Sequence, residues 1–145
     1  MRMLAGTYEH TIDAKGRVIL PADFRVALGE HFFITKGLDQ CLFIFGENEW
    51  TRWEQKLQSL PMVSPEARRL VRHFCSGGRE LECDRQGRFL VPGNLRTYAK
   101  LEKDVVLTGA SNRVEVWSKA EWERYNAMED DSPEAFTASL ANLGI

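Results

Sequence analysis

The chain has little of what catalysis or membrane insertion requires. Its 145 residues contain no G-x-x-x-x-G-K-[ST], G-x-G-x-x-G, G-x-S-x-G or H-E-x-x-H signature. Polar residues gather in turns, and no nucleophile–base pair stands out. An enzyme is therefore not expected, and neither is a cofactor or a small-molecule substrate. No apolar run approaches the ~20 residues of a spanning helix, and nothing at the start resembles a secretory leader, so no membrane partner is expected. Cysteine is scarce. Cys41, Cys75 and Cys83 are an odd set without paired spacing, which fits a reduced cytoplasmic setting. Joined with His73 they would make a poor zinc set, lacking Cys-x-x-Cys and placing Cys41 in an apolar strand. A positive excess is missing too. With 19 Lys and Arg against 21 Asp and Glu, the net charge is −2, and bulk charge offers no argument for nucleic acid. The charge is uneven, however. From Glu129 onward there are four acidic residues and no basic one, leaving 19 basic against 17 acidic in the rest, so local basic patches remain open.

What the chain does have is a repeat. Asp13-Ala14-Lys15-Gly16-Arg17-Val18-Ile19-Leu20-Pro21-Ala22-Asp23-Phe24-Arg25 returns as Asp84-Arg85-Gln86-Gly87-Arg88-Phe89-Leu90-Val91-Pro92-Gly93-Asn94-Leu95-Arg96. The Asp, the Gly, both Arg and the Pro all recur at one offset of 71. A fixed-period repeat sets the architecture before any local reading. Each half is about 50 residues, close to the lower limit for an independent core. Interlocked halves sharing one core, or an oligomer, are expected rather than two free beads.

The local patterns give each half the order β-β-α-β-β, followed by a helix. Residues 6–12 read as a strand, 13–16 as a turn, where Gly16 supplies positive φ, and 17–20 as a short strand. Pro21 suits the first helical turn, and that helix stops at Gly29. Residues 32–35 and 41–45 are strands around a turn at 37–40. Both are too apolar for a solvent-facing sheet. The second half replays this with strands at 79–83, 88–91, 104–109 and 113–117, a turn at 84–87 and a helix over 92–99. Between the halves, 47–58 reads as a helix with Trp50, Trp53 and Leu57 on one face. Ser64-Pro65 opens another, with Leu70, Val71 and Phe74 apolar, ended by Gly77-Gly78. Ser118 to Glu121 forms a capping box, and Ser132-Pro133 starts a short last helix. The chain divides into module 1 (6–52), a helical linker (53–78), module 2 (79–124) and an acidic helical tail (125–145).

The Asp-x-x-Gly-Arg turn has two readings. In one, Asp13 and Asp84 accept backbone N–H bonds and staple a turn for stability alone. In the other, the Asp also orients the Arg four residues on, and a rigid turn presents Arg17 or Arg88 to phosphate or guanine, for which a guanidinium fork is suited. Lys15 adds charge to the first turn, and Arg2 and Arg25 lie nearby in sequence. Gln86 takes the place of Lys15 in the second, where Arg85 is adjacent. His10, on the preceding strand, reads as an ordinary polar residue of a half-exposed strand. The four tryptophans read as core or interface anchors.

Asp-x-x-Gly-Arg followed by three apolar residues, Pro and a short helix resembles the SpoVT-AbrB-type swapped-hairpin module. Two such modules in tandem resemble the MraZ family of bacterial transcriptional regulators over about Leu4 to Tyr125. The segments at 6–13, 35–39, 42–45 and 74–77 match as well. The resemblance implies a β-rich α+β fold in which the two modules interlock into a barrel-like core with flanking helices. It implies assembly into a homo-oligomeric ring that presents basic turns to double-stranded promoter DNA at the nucleoid. Family members bind short G-rich direct repeats upstream of the division and cell-wall gene cluster and generally repress it. Carried over by position, Lys15, Arg17, Arg85 and Arg88 would contact DNA, while Asp13, Gly16, Asp84 and Gly87 would orient the turns. Two departures bear on this: Gln86 weakens the second turn, and Ala5 stands where many members carry a basic residue. A ring protein whose main role is a protein–protein interaction is the alternative.

Overall fold

A computed structural model of the chain describes residues 4–128 and 132–144; Glu129, Asp130 and Asp131 of the acidic tail and the Met1-Arg2 extension lie outside them. In chain order the elements are β1 (Thr7–Thr11), β2 (Arg17–Ile19), α1 (Ala22–Leu28), β3 (Phe32–Lys36), β4 (Leu42–Gly46), α2 (Glu47–Gln58), α3 (Pro65–Ser76), β5 (Arg79–Leu81), β6 (Arg88–Leu90), α4 (Gly93–Tyr98), β7 (Asp104–Gly109), β8 (Val114–Ser118), α5 (Lys119–Met128) and α6 (Pro133–Asn142). The signals at their ends act as expected. Ser64 accepts from the Ala67 N–H at 3.2 Å with Pro65 in the first turn of α3. Gly29, at φ 87°, ends α1. Asp39 and Gln40, at φ 60° and 64°, turn β3 into β4, as paired positive φ values do in tight hairpins.

The repeats interlock. A six-stranded antiparallel sheet runs β1-β7-β8-β4-β3-β5, and β2 pairs separately with β6. By the repeat, β1 corresponds to β5 and β3 to β7. Thus β1 of the first copy pairs with β7 of the second, Thr7 opposite Thr108 and Thr11 opposite Asp104. Reciprocally, β5 of the second pairs with β3 of the first, Phe32 opposite Leu81. Strands β4 and β8, one from each copy, meet at the centre. Only the turn keeps β1 and β2 in local contact, through an Ile12–Val18 bridge.

Both faces of the inner strands β3, β4, β7 and β8 are covered, which is why these strands are largely apolar, while the edge strands β1 and β5 are polar and mostly exposed. On β4, Leu42 and Ile44 enter one cluster with Val18, Leu20, Phe24, Phe89, Val91 and Leu95 from the ribbon and helices α1 and α4. Phe43 and Phe45 point the other way, into a cluster with Leu57, Phe74 and Trp117 beneath α2, α3 and α5. Trp50, Trp53 and Trp122 pack against that second cluster. Phe45 stacks with Trp53 at 6.0 Å, and Trp53 meets Phe74 edge-on at 5.1 Å.

On α3, Ala67 and Phe74 are buried and Leu70 is 38% exposed. Two expectations are corrected. Strand β5 ends at Leu81 rather than Cys83, because its ladder with β3 runs out at Phe32. Ser118 does cap Glu121 N–H at 3.0 Å, but the Glu121 carboxylate turns to Arg124 and Lys100, at 2.7 and 3.3 Å, so only half of the capping box forms.

Candidate nucleic-acid interface

The two Asp-x-x-Gly-Arg turns have nearly the same geometry. In the first, Asp13 Oδ1 accepts the backbone N–H groups of Lys15 and Arg17, both at 2.9 Å, and Oδ2 accepts Arg17 Nε at 2.7 Å. The Gly16 N–H donates to Asp13 O, and the Asp13 N–H to Arg17 O, closing the loop. In the second, Asp84 Oδ1 accepts from Gln86 and Arg88 N–H at 2.9 Å, and Oδ2 from Arg88 Nε at 2.9 Å. The Arg17 N–H, then its guanidinium, holds the Asp13 carboxyl below the usual carboxylate range. Arg88 does the same for Asp84. Each Asp grips its Arg through Nε. Among the described residues, nothing accepts from the terminal Nη groups, so the fork is oriented and still unused.

The β2–β6 ribbon fixes where these forks lie. Arg17 pairs with Leu90, Val18 with Phe89, and Ile19 with Arg88. Side chains alternate along a strand. Val18 and Phe89 are buried, at 0% and 1% exposure, so Arg17, Ile19, Arg88 and Leu90 share the outer face. Ile19 and Leu90 are exposed there. Arg17 and Arg88 are diagonal neighbours, a separation of roughly 7–8 Å at this register. The strands are antiparallel, so a basic turn caps each end of the ribbon: Lys15 at one and Arg85 at the other, both exposed.

A family model described as "MraZ protein, putative antitoxin-like" matches residues 3–73 and again 74–142. The chain belongs to the MraZ family. It is 55% identical over 143 residues to the transcriptional regulator MraZ of Desulfitobacterium hafniense (strain DSM 10664 / DCB-2), covering 99% of this chain and all of that one. It is 52% identical over 141 residues to that of Desulforamulus reducens, covering 97% and 99%. To that of Acetivibrio thermocellus it is 52% identical over 143 residues, covering 99% and all of it. Membership places the chain among transcriptional regulators rather than enzymes.

In this MraZ-family chain, Arg25 covers the second turn rather than the first, which it neighbours in sequence, and Arg96, to which sequence reasoning gave no role, covers the first. Arg25 and Arg96, the last residues of the repeated block, cross between modules. A Cβ on Gly87 would lie 2.9 Å from Arg25 Nη1, and one on Gly16 would lie 3.2 Å from Arg96 Cζ. Each turn is therefore covered by a guanidinium from the opposite repeat. The same crossing is sealed by backbone: Val91 N–H donates to Gly16 O and Leu20 N–H to Gly87 O, both at 2.8 Å. The recurrence of both arginines at the 71-residue offset was the available signal.

The other polar candidates do not join the ribbon. His10 is half-buried on β1, opposite Val105. Cys41 lies in the aromatic cluster, where burial pushes its thiol up, whereas Cys83 packs against the cluster on the other side of the sheet. The weighed zinc set is thus spread over two layers. Among the described residues, no three His, Cys, Asp or Glu side chains group to hold a metal ion, and no helix is long and apolar enough to cross a membrane.

Proposed function

We propose that the chain is a sequence-specific DNA-binding regulator that lays the outer face of its β2–β6 ribbon on duplex DNA. The observation that carries this is the pair of Asp-gripped arginines with unused Nη groups on one exposed face. A two-stranded ribbon fits the major groove, and a bidentate guanidinium pairs with guanine O6 and N7. Arg17 and Arg88 are the readers, Lys15 and Arg85 the phosphate contacts, and Asp13, Gly16, Asp84 and Gly87 hold the turns. Gln86 leaves the second turn the weaker contact. A homo-oligomeric ring would repeat the ribbon and match direct repeats in a promoter. Repression of the division and cell-wall gene cluster, including the regulator's own gene, follows for a protein that covers such repeats in the cytoplasm at the nucleoid. The interaction-protein reading is less supported, because Trp50, Trp53, Trp117 and Trp122 pack inward rather than offering a surface.

A mobility shift on the gene's own upstream region, at two salt concentrations, tests the proposal. The expected result is preference over unrelated DNA, weakening with salt as counterions are released, and loss of that preference in Arg17→Ala. Equal affinity for both DNAs, or an unaffected variant, would overturn it.

A further inference from the structure

Among the described residues, helix α6 buries none of its side chains. Phe136 and Leu140 fall at i and i+4 on one face of it, and Leu143, at its C-cap, follows at i+7. Phe136 is 64% exposed and Leu143 73%. Elsewhere on the same chain, α2 and α3 leave a groove of about 570 Å³, floored by Leu57, Leu60 and Val71, with Cys75 also lining it. Met62 also lines it and is 83% exposed, and the adjacent Val63 is 87% exposed. Burying both surfaces together would remove exposed apolar area that neither can hide alone.

Charge favours the match. Arg68 and Arg72 line the groove, against the single acidic residue Glu54. Arg68 is fixed by donating to the Met62 and Val63 carbonyls at 3.0 and 3.1 Å. The tail that carries α6 has four acidic residues and no basic one, with Glu134 in the first turn of α6. An amphipathic helix in an apolar groove is a standard recognition mode. One chain carries both parts, and within it neither covers the other.

We propose that α6 of one subunit docks in the α2–α3 groove of a second copy. This rests on the homo-oligomeric part of the function proposed above and names its contact. Helix and groove are different surfaces, so the contact is heterologous and propagates from subunit to subunit, closing into a ring if the rotation allows.

The test uses two full-length variants: Phe136→Asp with Leu140→Asp on the helix, and Arg72→Glu with Cys75→Glu on the groove. Wild-type circular dichroism verifies folding, and light scattering on a sizing column reads mass. Each variant alone should fall from the wild-type oligomer to the 16.6 kDa monomer. An equimolar mixture should form a particle of twice that mass, because one intact groove meets one intact helix. Variants that keep the wild-type mass, or a mixture that stays monomeric, would overturn the docking while leaving an oligomer in place. A monomeric wild type would instead overturn the oligomer itself. As a second reading, Leu140→Cys with Cys83→Ser is oxidised and run on a non-reducing gel. A ladder of chains linked through Cys75 supports the proposal. Thiol loss at monomer mass would show α6 folding onto its own chain and would overturn it.

Discussion

Replacing each turn glycine with alanine should separate two kinds of tightness. Gly16 and Gly87 sit at φ 88° and 77°, where an L residue costs roughly 1–2 kcal/mol. Their surroundings differ. Around Gly87 the three nearest atoms all belong to the Arg25 guanidinium, at 2.9 to 3.3 Å, the free end of a flexible side chain that can swing aside. Around Gly16 a Cβ meets Arg96 at 3.2 Å and also the Val91 carbonyl oxygen at 3.2 Å. That carbonyl is backbone, and the Val91 N–H is tied to Gly16 O, so it cannot move alone. Overpacking against fixed atoms adds about 1–2 kcal/mol. Gly16→Ala should therefore lose roughly 2–4 kcal/mol and Gly87→Ala roughly 1–2. At about 4 °C per kcal/mol for a domain of this size, calorimetry should place the Gly16 variant's Tm well below that of the Gly87 variant, both under wild type. A Gly87 variant that melts as low as the Gly16 variant, or a Gly16 variant with unchanged Tm, refutes the argument from the Val91 backbone.

Two further outcomes follow from the turns. Lys15→Ala should weaken binding to all DNA alike and flatten the slope of log affinity against log salt by about 0.9. Arg17→Ala should instead lose roughly 1–3 kcal/mol of discrimination, about 5- to 150-fold, on the operator. Salt titrations on operator and scrambled duplexes distinguish the two, and the reverse pattern would exchange the roles assigned to them. Asp13 and Asp84 have lowered folded values, so their contribution to turn stability is fully present above the unfolded value of about 3.9 and is lost as pH falls through the lower folded value. Carboxyl NMR titration should give both midpoints below the ordinary aspartate range, and ordinary midpoints would mean that the Asp–Arg grip is absent in solution.

Much of this was legible in the sequence because the decisive chemistry is local. The Asp-to-Arg turn depends on an acceptor, a residue able to take positive φ and a donor four positions on, and all three are visible in a five-residue window. Most element ends carried their own signals, as with Pro65 and Gly29. Strand partners were another matter. Two short strands around a turn look like an ordinary hairpin, and only the resemblance to a swapped module pointed to β2 leaving β1 for β6. Arg25 was set beside the wrong turn and Arg96 beside none for the same reason: each acts on a glycine in the other repeat, across a distance no window contains. Leu70 follows helical spacing but sits at the edge of the stripe that Ala67 and Phe74 bury, and is left 38% exposed.

Exchange of strands between the repeats also sets an order in time. Thr7 meets Thr108 across 101 residues of chain, and β1 can complete its ladder only after β7 has left the ribosome. At about 5–20 residues per second, an emerging chain waits roughly 5–20 s with β1 unpaired and the first basic turn lacking Val91 and Arg96, its supports from the second repeat. Pairing across such separations folds slowly. DNA-binding competence therefore arrives late in synthesis, when the second repeat closes over the first.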